Sequence, residues 1–328
     1  MPANLTPEYK AAEVEYRQAK DPQAKIACLE KMLSAIPKHK GTEKLQADIK
    51  TRLKRLRDNL LRKTSKKGFS IKVEKEGTAQ VALVGAPNAG KSALVEVTTN
   101  ARTETADHPF ATRSPIPGML QFENLQFQLV DLPPISEEYL EPWVTDIIRN
   151  ADTSLWVVDA SDPDIASKVQ EVSHILEQKK IKLIGAKTPL SKAYDPVRRI
   201  RTLVIAAKMD DPQAKHGLAW LRNFFEPEKS VLPLSAFGDT DFSILGRTIF
   251  DLNHIIRVFS KTPGKQPDFS RPFVLQRGEC LIDFARQVHK DFVAQFRYAR
   301  IWGVSKFDGQ RIQRDQELND GDIIELHK

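Results

Sequence analysis

Apolar positions along this chain follow three successive rhythms. Over the first seventy residues they recur at helical spacing. Residues 1–36 read as helix, opened by Leu5-Thr-Pro-Glu with proline at the first turn and carrying Val14, Ile26, Leu29 and Leu33 on one side. A second helix is expected from about Thr42 to Arg62, where Leu45, Ile49, Leu53, Leu56 and Leu60 form one stripe. From residue 78 the rhythm shortens. Val81, Leu83 and Val84 mark a buried strand. Leu120–Phe122 and Phe127–Asp131 alternate like a hairpin about Glu123-Asn124. Leu155–Asp159, Thr202–Ala207 and Val231–Leu234 read as further strands, and Ile165 to Gln178 as a helix carrying Val169, Val172 and Leu176. Ile181–Gly185 and the basic, proline-bearing stretch to Arg201 read only as a connection. Such alternation implies an α/β, doubly wound, mostly parallel sheet with ligand at the C-terminal ends of its strands. Lys261–Pro267 reads as a linker. Beyond it, a strand and turn (Phe273–Gly278), a helix (Leu281–Gln295) and strands at Tyr298–Trp302, Arg311–Gln313 and Asp320–Leu326 suggest a small α+β module. The expected division is 1–70, 71–262 and 268–328.

Between the first strand of the middle region and the helix after it lies Gly85-Ala-Pro-Asn-Ala-Gly90-Lys91-Ser92, which is G-x-x-x-x-G-K-S. Glycines let the backbone wrap phosphate oxygens, and successive N–H groups with a helix N-terminus then face the anion. A glycine turn matching by accident is the bland alternative; strand before and helix after weigh against it. The expected contacts to a GTP or GDP ligand are Ala86, Pro87, Asn88, Ala89, Gly90, Lys91, Ser92 and Ala93. Lys91 would reach the outer phosphates and Ser92 would hold Mg²⁺.

The stretch Asn100–Gly118 is polar and proline-punctuated, an exposed loop by its pattern. In a nucleotide switch it supplies a threonine to Mg²⁺ and the γ-phosphate, and Thr112 is the candidate. Lys91 and Thr112 are thus the expected catalytic pair. Asp131, leaving a strand, would hold the Mg²⁺ shell. Three residues on, where glycine normally donates an N–H to the γ-phosphate, stands Pro134, which has none. Ile135 occupies the place where some GTPases carry a water-orienting glutamine. Ala207-Lys208-Met-Asp210 has the form of a guanine reader whose asparagine is missing: Asp210 would accept from the base and Lys208 would cover the ring. Ser235-Ala236 would complete the base contact.

Charge adds a partner. The formal net charge is +7 with a pI near 9.2, which favours something anionic. Around the second helix sit Lys50, Arg52, Lys54, Arg55, Arg57, Arg62, Lys63, Lys66 and Lys67, with Asp58 the only acid from Lys50 to Lys67. That face suits an RNA backbone or a plain solvated surface equally. The end module holds Arg286, His289, Lys290, Arg297, Arg300 and Lys306, but spacing does not say whether they share a face. No apolar run reaches membrane-spanning length, and the polar N-terminus is no signal peptide. Cys28 and Cys280 read as free thiols in a reducing cytoplasm, and the seven scattered histidines suggest no zinc site.

Together these residues resemble the developmentally regulated GTP-binding protein (DRG) branch of the Obg-related GTPases. The resemblance rests on Gly85–Ser92, Leu94–Asn100, His108-Pro-Phe-Ala-Thr112, Asp131-Leu-Pro, Ile256–Asp268 and Asp283–Phe292. It implies a P-loop G domain behind an N-terminal helical region, and at the C-terminus a TGS domain, a ubiquitin-like β-grasp unit. It further implies GTP binding, slow hydrolysis and association with ribosomes or translation factors; with the basic faces and free thiols above, a cytoplasmic monomer that meets RNA is expected. In related GTPases lacking the glutamine, an asparagine in the place of Asn88 helps hold K⁺, which makes K⁺ a candidate cofactor; shaping the loop is the other role open to Asn88. Pro134 and Ala207 depart from the pattern. The span from Asp159 to Lys208 is also too short for the small domain that family members insert there. Two functions therefore stand: a translation-associated GTPase, and a guanine-nucleotide-binding ribosome scaffold with little or no hydrolysis.

Overall fold

The protein is described from a computed structural model, which defines residues 9, 16, 22–36, 49, 51–52, 72–99, 114–137, 140–190, 195–237, 241–303 and 307–327. The chain divides into two compact units, Met1–Ser70 and Ile71–Lys328. In the first, helix α1 (Pro22–Ala35) buries Leu29, Met32 and Ile36 with Tyr9 and Ile49. Apart from Ile49, Thr51 and Arg52, the expected basic helix at 42–62 lies outside the described residues.

In the second unit the described residues form two sheets. The larger runs β2 (Ile116–Phe122), β3 (Leu125–Asp131), β1 (Ala79–Val84), β4 (Thr153–Asp159), β6 (Arg198–Ala207), β5 (Ile181–Ile184), with β7 (Val231–Pro233) also on β6. Every pairing is parallel except the β2–β3 hairpin, which turns at Glu123-Asn124. β1, β4 and the Thr202–Ala206 part of β6 are buried nearly throughout and mostly apolar because both faces are covered. On one face Ala82, Val84, Val130, Trp156 and Val204 meet α3 (Pro142–Asn150), α4 (Ile165–Gln178) and α5 (Ala214–Phe225). On the other Val81, Leu83, Leu129, Leu155 and Ile205 meet α2 (Lys91–Thr98) and α6 (Ser243–Leu252). The stretch read as an unassigned connection is a strand: β5 pairs with Arg198–Arg201, so β6 begins earlier than Thr202.

The second sheet has the order β11 (Gln310–Ile312), β10 (Tyr298–Trp302), β12 (Asp322–His327), β8 (Ile255–Ser260), β9 (Phe273–Gln276). Its first strand, β8, lies before Lys261 and inside the expected middle domain; parallel pairing with β12 takes it into this sheet. Helix α7 (Leu281–Val288) closes one face through Leu281, Phe284 and Ala285. The single helix expected over 281–295 is two. His289 is extended (φ −172°, ψ 144°) and accepts from the Asp291 N–H, which starts α8 (Lys290–Ala294). A side-chain acceptor at a helix start competes with continuation of the preceding helix.

Arg257 on β8 joins the sheets. Its guanidinium grips Asp320 through Nε at 3.0 Å and a terminal nitrogen at 2.8 Å, reaches Glu123 in the β2–β3 turn, and lies 5.1 Å over the Phe250 ring. Hydrogen bonds it donates to Asp320 first, and to Glu123, raise its pKa against the opposing pull of burial.

Candidate functional site

β1 is buried along its whole length and flanked by β3 and β4, so the loop leaving it is anchored on both sides. A Cβ at Gly85 would lie 2.3 Å from the Val157 carbonyl oxygen on β4, so only glycine lets the chain turn this tightly. Asn88 (φ 58°) and Gly90 (φ 96°) are left-handed, and α2 starts at the next residue. Asparagine is among the few side chains at ease in that conformation, so the backbone alone accounts for Asn88. Ala86 and Pro87 are half-buried on the loop; Ala89 packs into the core, and Ala93 sits in the first turn of α2.

Lys91 is 6% exposed. Its ammonium bends back across the loop and donates to the carbonyls of Gly85 at 3.1 Å and Ala86 at 2.9 Å. Burial pushes its pKa down to about 8, against the attraction of Asp131. Ser92 Oγ donates to Asp131 Oδ2 at 2.6 Å, and that acid is wholly buried at the end of β3. A hydroxyl from a helix start and a carboxylate from a strand end are hard oxygen donors. That chemistry fits Mg²⁺.

After Asp131 the chain stays inside. Residues 132–136 are buried, and Leu132 and Ile135 join the core under α3 and α4. The Ile135 N–H donates to the Gly85 carbonyl at 3.1 Å. One oxygen of the loop therefore receives both Lys91 and the segment after β3. Nothing in the sequence signals this bond, because it depends on how β1 and β3 pair.

At the other end of the site, Lys208 is left-handed (φ 59°) and its ammonium donates to Asp159 Oδ2 at 2.6 Å. The second oxygen of Asp159 accepts from Ser161 N–H at 2.9 Å and Oγ at 2.7 Å. This clamp between the ends of β4 and β6 was not read from sequence; an acid closing a buried strand was its available signal. β7 brings Ser235 to Asp210, the hydroxyl donating to Oδ1 at 2.5 Å and accepting from Phe237 N–H at 3.0 Å. Ala236 is half-buried beside them. A Cβ at Gly90 would come within 3.7 Å of the Ala207 methyl, so the expected phosphate loop and base reader are neighbours.

Lys91, Ser92 and Asp131 thus gather at the ends of β1 and β3, and Lys208, Asp210 and Ser235 at the ends of β6 and β7. All lie where doubly wound sheets receive ligand. Thr112 and the rest of its loop, residues 100–113, lie outside the described residues. No helix among the described residues is long and apolar enough to cross a membrane.

The family described as 50S ribosome-binding GTPase matches residues 80–187, and the TGS domain family matches residues 256–328. The chain is 28% identical to an uncharacterized GTP-binding protein of Methanocaldococcus jannaschii over 362 aligned positions, covering 93% of this chain and 92% of the relative. It is equally identical, 28% over 363 positions, to a developmentally-regulated GTP-binding protein 2 homolog of Dictyostelium discoideum, covering 93% and 98%. With developmentally-regulated G-protein 1 of Arabidopsis thaliana it shares 26% over 362 positions, covering 93% and 90%. Among solved structures, the YchF GTPase of Schizosaccharomyces pombe superposes with a TM-score of 0.49 at 12% identity, over 77% of this chain and 99% of that one.

Proposed function

We propose that this chain, a DRG-like GTP-binding protein with a P-loop G domain and a C-terminal TGS domain, is a slow guanine-nucleotide switch that works with the ribosome or its RNA. The observation that carries the reading is the convergence of Lys91, Ser92 and Asp131 with Lys208, Asp210 and Ser235 at one edge of the sheet. Loop N–H groups and Lys91 bind the phosphates, and Asp210, steadied by Ser235, accepts from the guanine edge. Ser92 and Thr112 would hold Mg²⁺, with Asp131 in its outer shell; the ion supplies charge neutralisation at the phosphates. Ile135 carries no group able to orient water, so turnover rests on positioning and electrostatics. K⁺ beside Asn88 is a further candidate for that electrostatic role. The ribosomal half of the reading is supported by the description of the matched GTPase family, the net charge of +7 and the basic stretch at 50–67.

Calorimetry with GDP, GTP, a non-hydrolysable GTP analogue and ATP, in Mg²⁺ and K⁺, tests the nucleotide half. Tight guanine binding with no ATP binding is expected, with GTP and GDP clearly distinguished. Co-sedimentation with ribosomes tests the other half: reversing Arg52, Lys54, Arg55 and Arg57 should release the protein, and unchanged co-sedimentation would count against that face. The second reading, a scaffold that binds without hydrolysing, is favoured by Pro134 and the buried segment around it. Equal affinity for GDP and GTP would put it ahead.

A further inference from the structure

At its β11–β10–β12 end the second sheet has one face covered by α7 and one more exposed, whereas β8 packs its outer face toward the first sheet through Ile255 and Arg257. Ala299, Ile301, Ile312, Ile324 and Leu326 point to α7 and the core. By strand alternation, Tyr298, Arg300 and Trp302 of β10, Arg311 of β11, and Glu325 and His327 of β12 share the opposite face. Three of these stack across neighbouring strands. The Tyr298 and His327 rings lie 4.3 Å apart at 13°, and the Arg311 guanidinium of the strand flanking β10 on the other edge lies 4.3 Å over Tyr298. Lys261 sits 4.1 Å over Trp302 and is tied to Glu325 at 2.6 Å. At the β10–β11 connection Phe307 is 84% exposed, a phenyl ring left in water close to Gly309, which itself borders Trp302.

Aromatic rings interleaved with cations on an open sheet suit one chemistry above others. Bases stack on rings and on guanidinium planes, while Arg and Lys meet the phosphates between them. An acidic peptide would use the cations but leave the rings, Phe307 above all, without partners. We propose that this face binds single-stranded RNA, with bases extending the Arg311–Tyr298–His327 stack and packing on Phe307 and Trp302, and with Arg300 and Arg311 on phosphates. The inference rests on the RNA-associated reading above and names the surface that serves it. The basic residues expected from sequence split accordingly: Arg300 belongs to this face, whereas Arg286 belongs to α7 on the covered side.

The test is fluorescence anisotropy of a labelled 12-nucleotide single-stranded RNA against the full chain. Tyr298→Ala breaks the stack that presents Arg311 and His327, Phe307→Ala removes one stacking ring, and each should weaken binding at least about fivefold. Arg300→Glu with Arg311→Glu should weaken it further and flatten the salt dependence by roughly 1.4 in log–log slope, the share of two phosphate contacts on a single strand. Tyr298→Phe keeps the ring and should bind like the parent, which separates lost stacking from a damaged fold. Arg286→Glu should change little. Parental RNA binding that survives the face variants intact would overturn this surface while leaving the RNA reading standing. Failure of the parent chain to bind RNA, or binding only of acidic peptides, would overturn both.

Discussion

The N–H of Ile135 donates to the carbonyl of Gly85 across 3.1 Å, on the same oxygen that receives the Lys91 ammonium. In a nucleotide switch the segment after Asp131 must report the γ-phosphate. Here it is fastened to the floor of the phosphate loop, with Pro134 buried and without an N–H beside it. Whatever reports the γ-phosphate must pass through this bond or around it.

Replacing Pro134 by Gly restores the missing donor. Single-turnover GTP hydrolysis should rise about tenfold, less than the loss seen when a well-aligned donor is removed from a transition state. The added chain freedom should cost about 1 kcal/mol of stability. Rapid-quench kinetics decide it, and an unchanged rate favours the scaffold reading.

Lys91 predicts a pH dependence. Its pKa in the free protein is lowered from 10.5 to about 8 by burial. Nucleotide phosphates favour the charged form and raise that value in the complex. Affinity should therefore be full below pH 8 and fall by up to about tenfold per pH unit above it. Calorimetry at pH 8.5 in two buffers of different ionisation heat should register proton uptake on GDP binding. Lys91→Met should bind far more weakly and take up none.

At the base end, Ser235→Ala frees the Asp210 carboxylate and should weaken GDP binding about tenfold, the value of one hydrogen bond to a charged group. Asp210→Asn reverses one donor–acceptor pairing and should trade GDP affinity for xanthosine diphosphate. Competitive displacement of a fluorescent nucleotide reads both.

The Arg257 clasp should be structural. Arg257→Ala leaves the half-buried Asp320 only the backbone N–H of residue 257 and should cost about 2 kcal/mol in urea unfolding, below the range for a fully buried pair. Burial alone would raise the Asp320 pKa, but hydrogen bonds from the Arg257 side chain and N–H outweigh it and hold it low. A carboxylate with a depressed pKa stabilises above its unfolded value and loses that contribution as pH falls through its folded one. The gap between parent and variant should persist at neutral pH and close only below the ordinary value of 3.8.

If Asn88 helps hold K⁺, GTP turnover in K⁺ should exceed that in Na⁺ severalfold, and Asn88→Ala should erase the difference. Equal rates would leave Asn88 with its backbone role alone, which its left-handed φ of 58° already explains.

Local chemistry was legible in the chain itself. Gly85 to Ser92, Asp131, and Lys208 to Asp210 stand out because the phosphate loop, metal acid and base reader proposed for them would demand fixed residue types at fixed spacing. The apolar runs announce the buried strands for the same reason: a sheet covered on both faces tolerates little else. What no spacing contains is which strands become neighbours. The Ile135–Gly85 bond, the Lys208–Asp159 clamp and the transfer of Ile255–Ser260 to the second sheet all follow from pairing between distant segments. The open face of Tyr298, Arg311 and His327 has the same origin, since three strands must lie side by side before their alternate residues meet. The sequence by itself determined the residue types at the proposed phosphate and base sites, while tertiary structure alone decided which surface of the C-terminal domain carries rings and cations together.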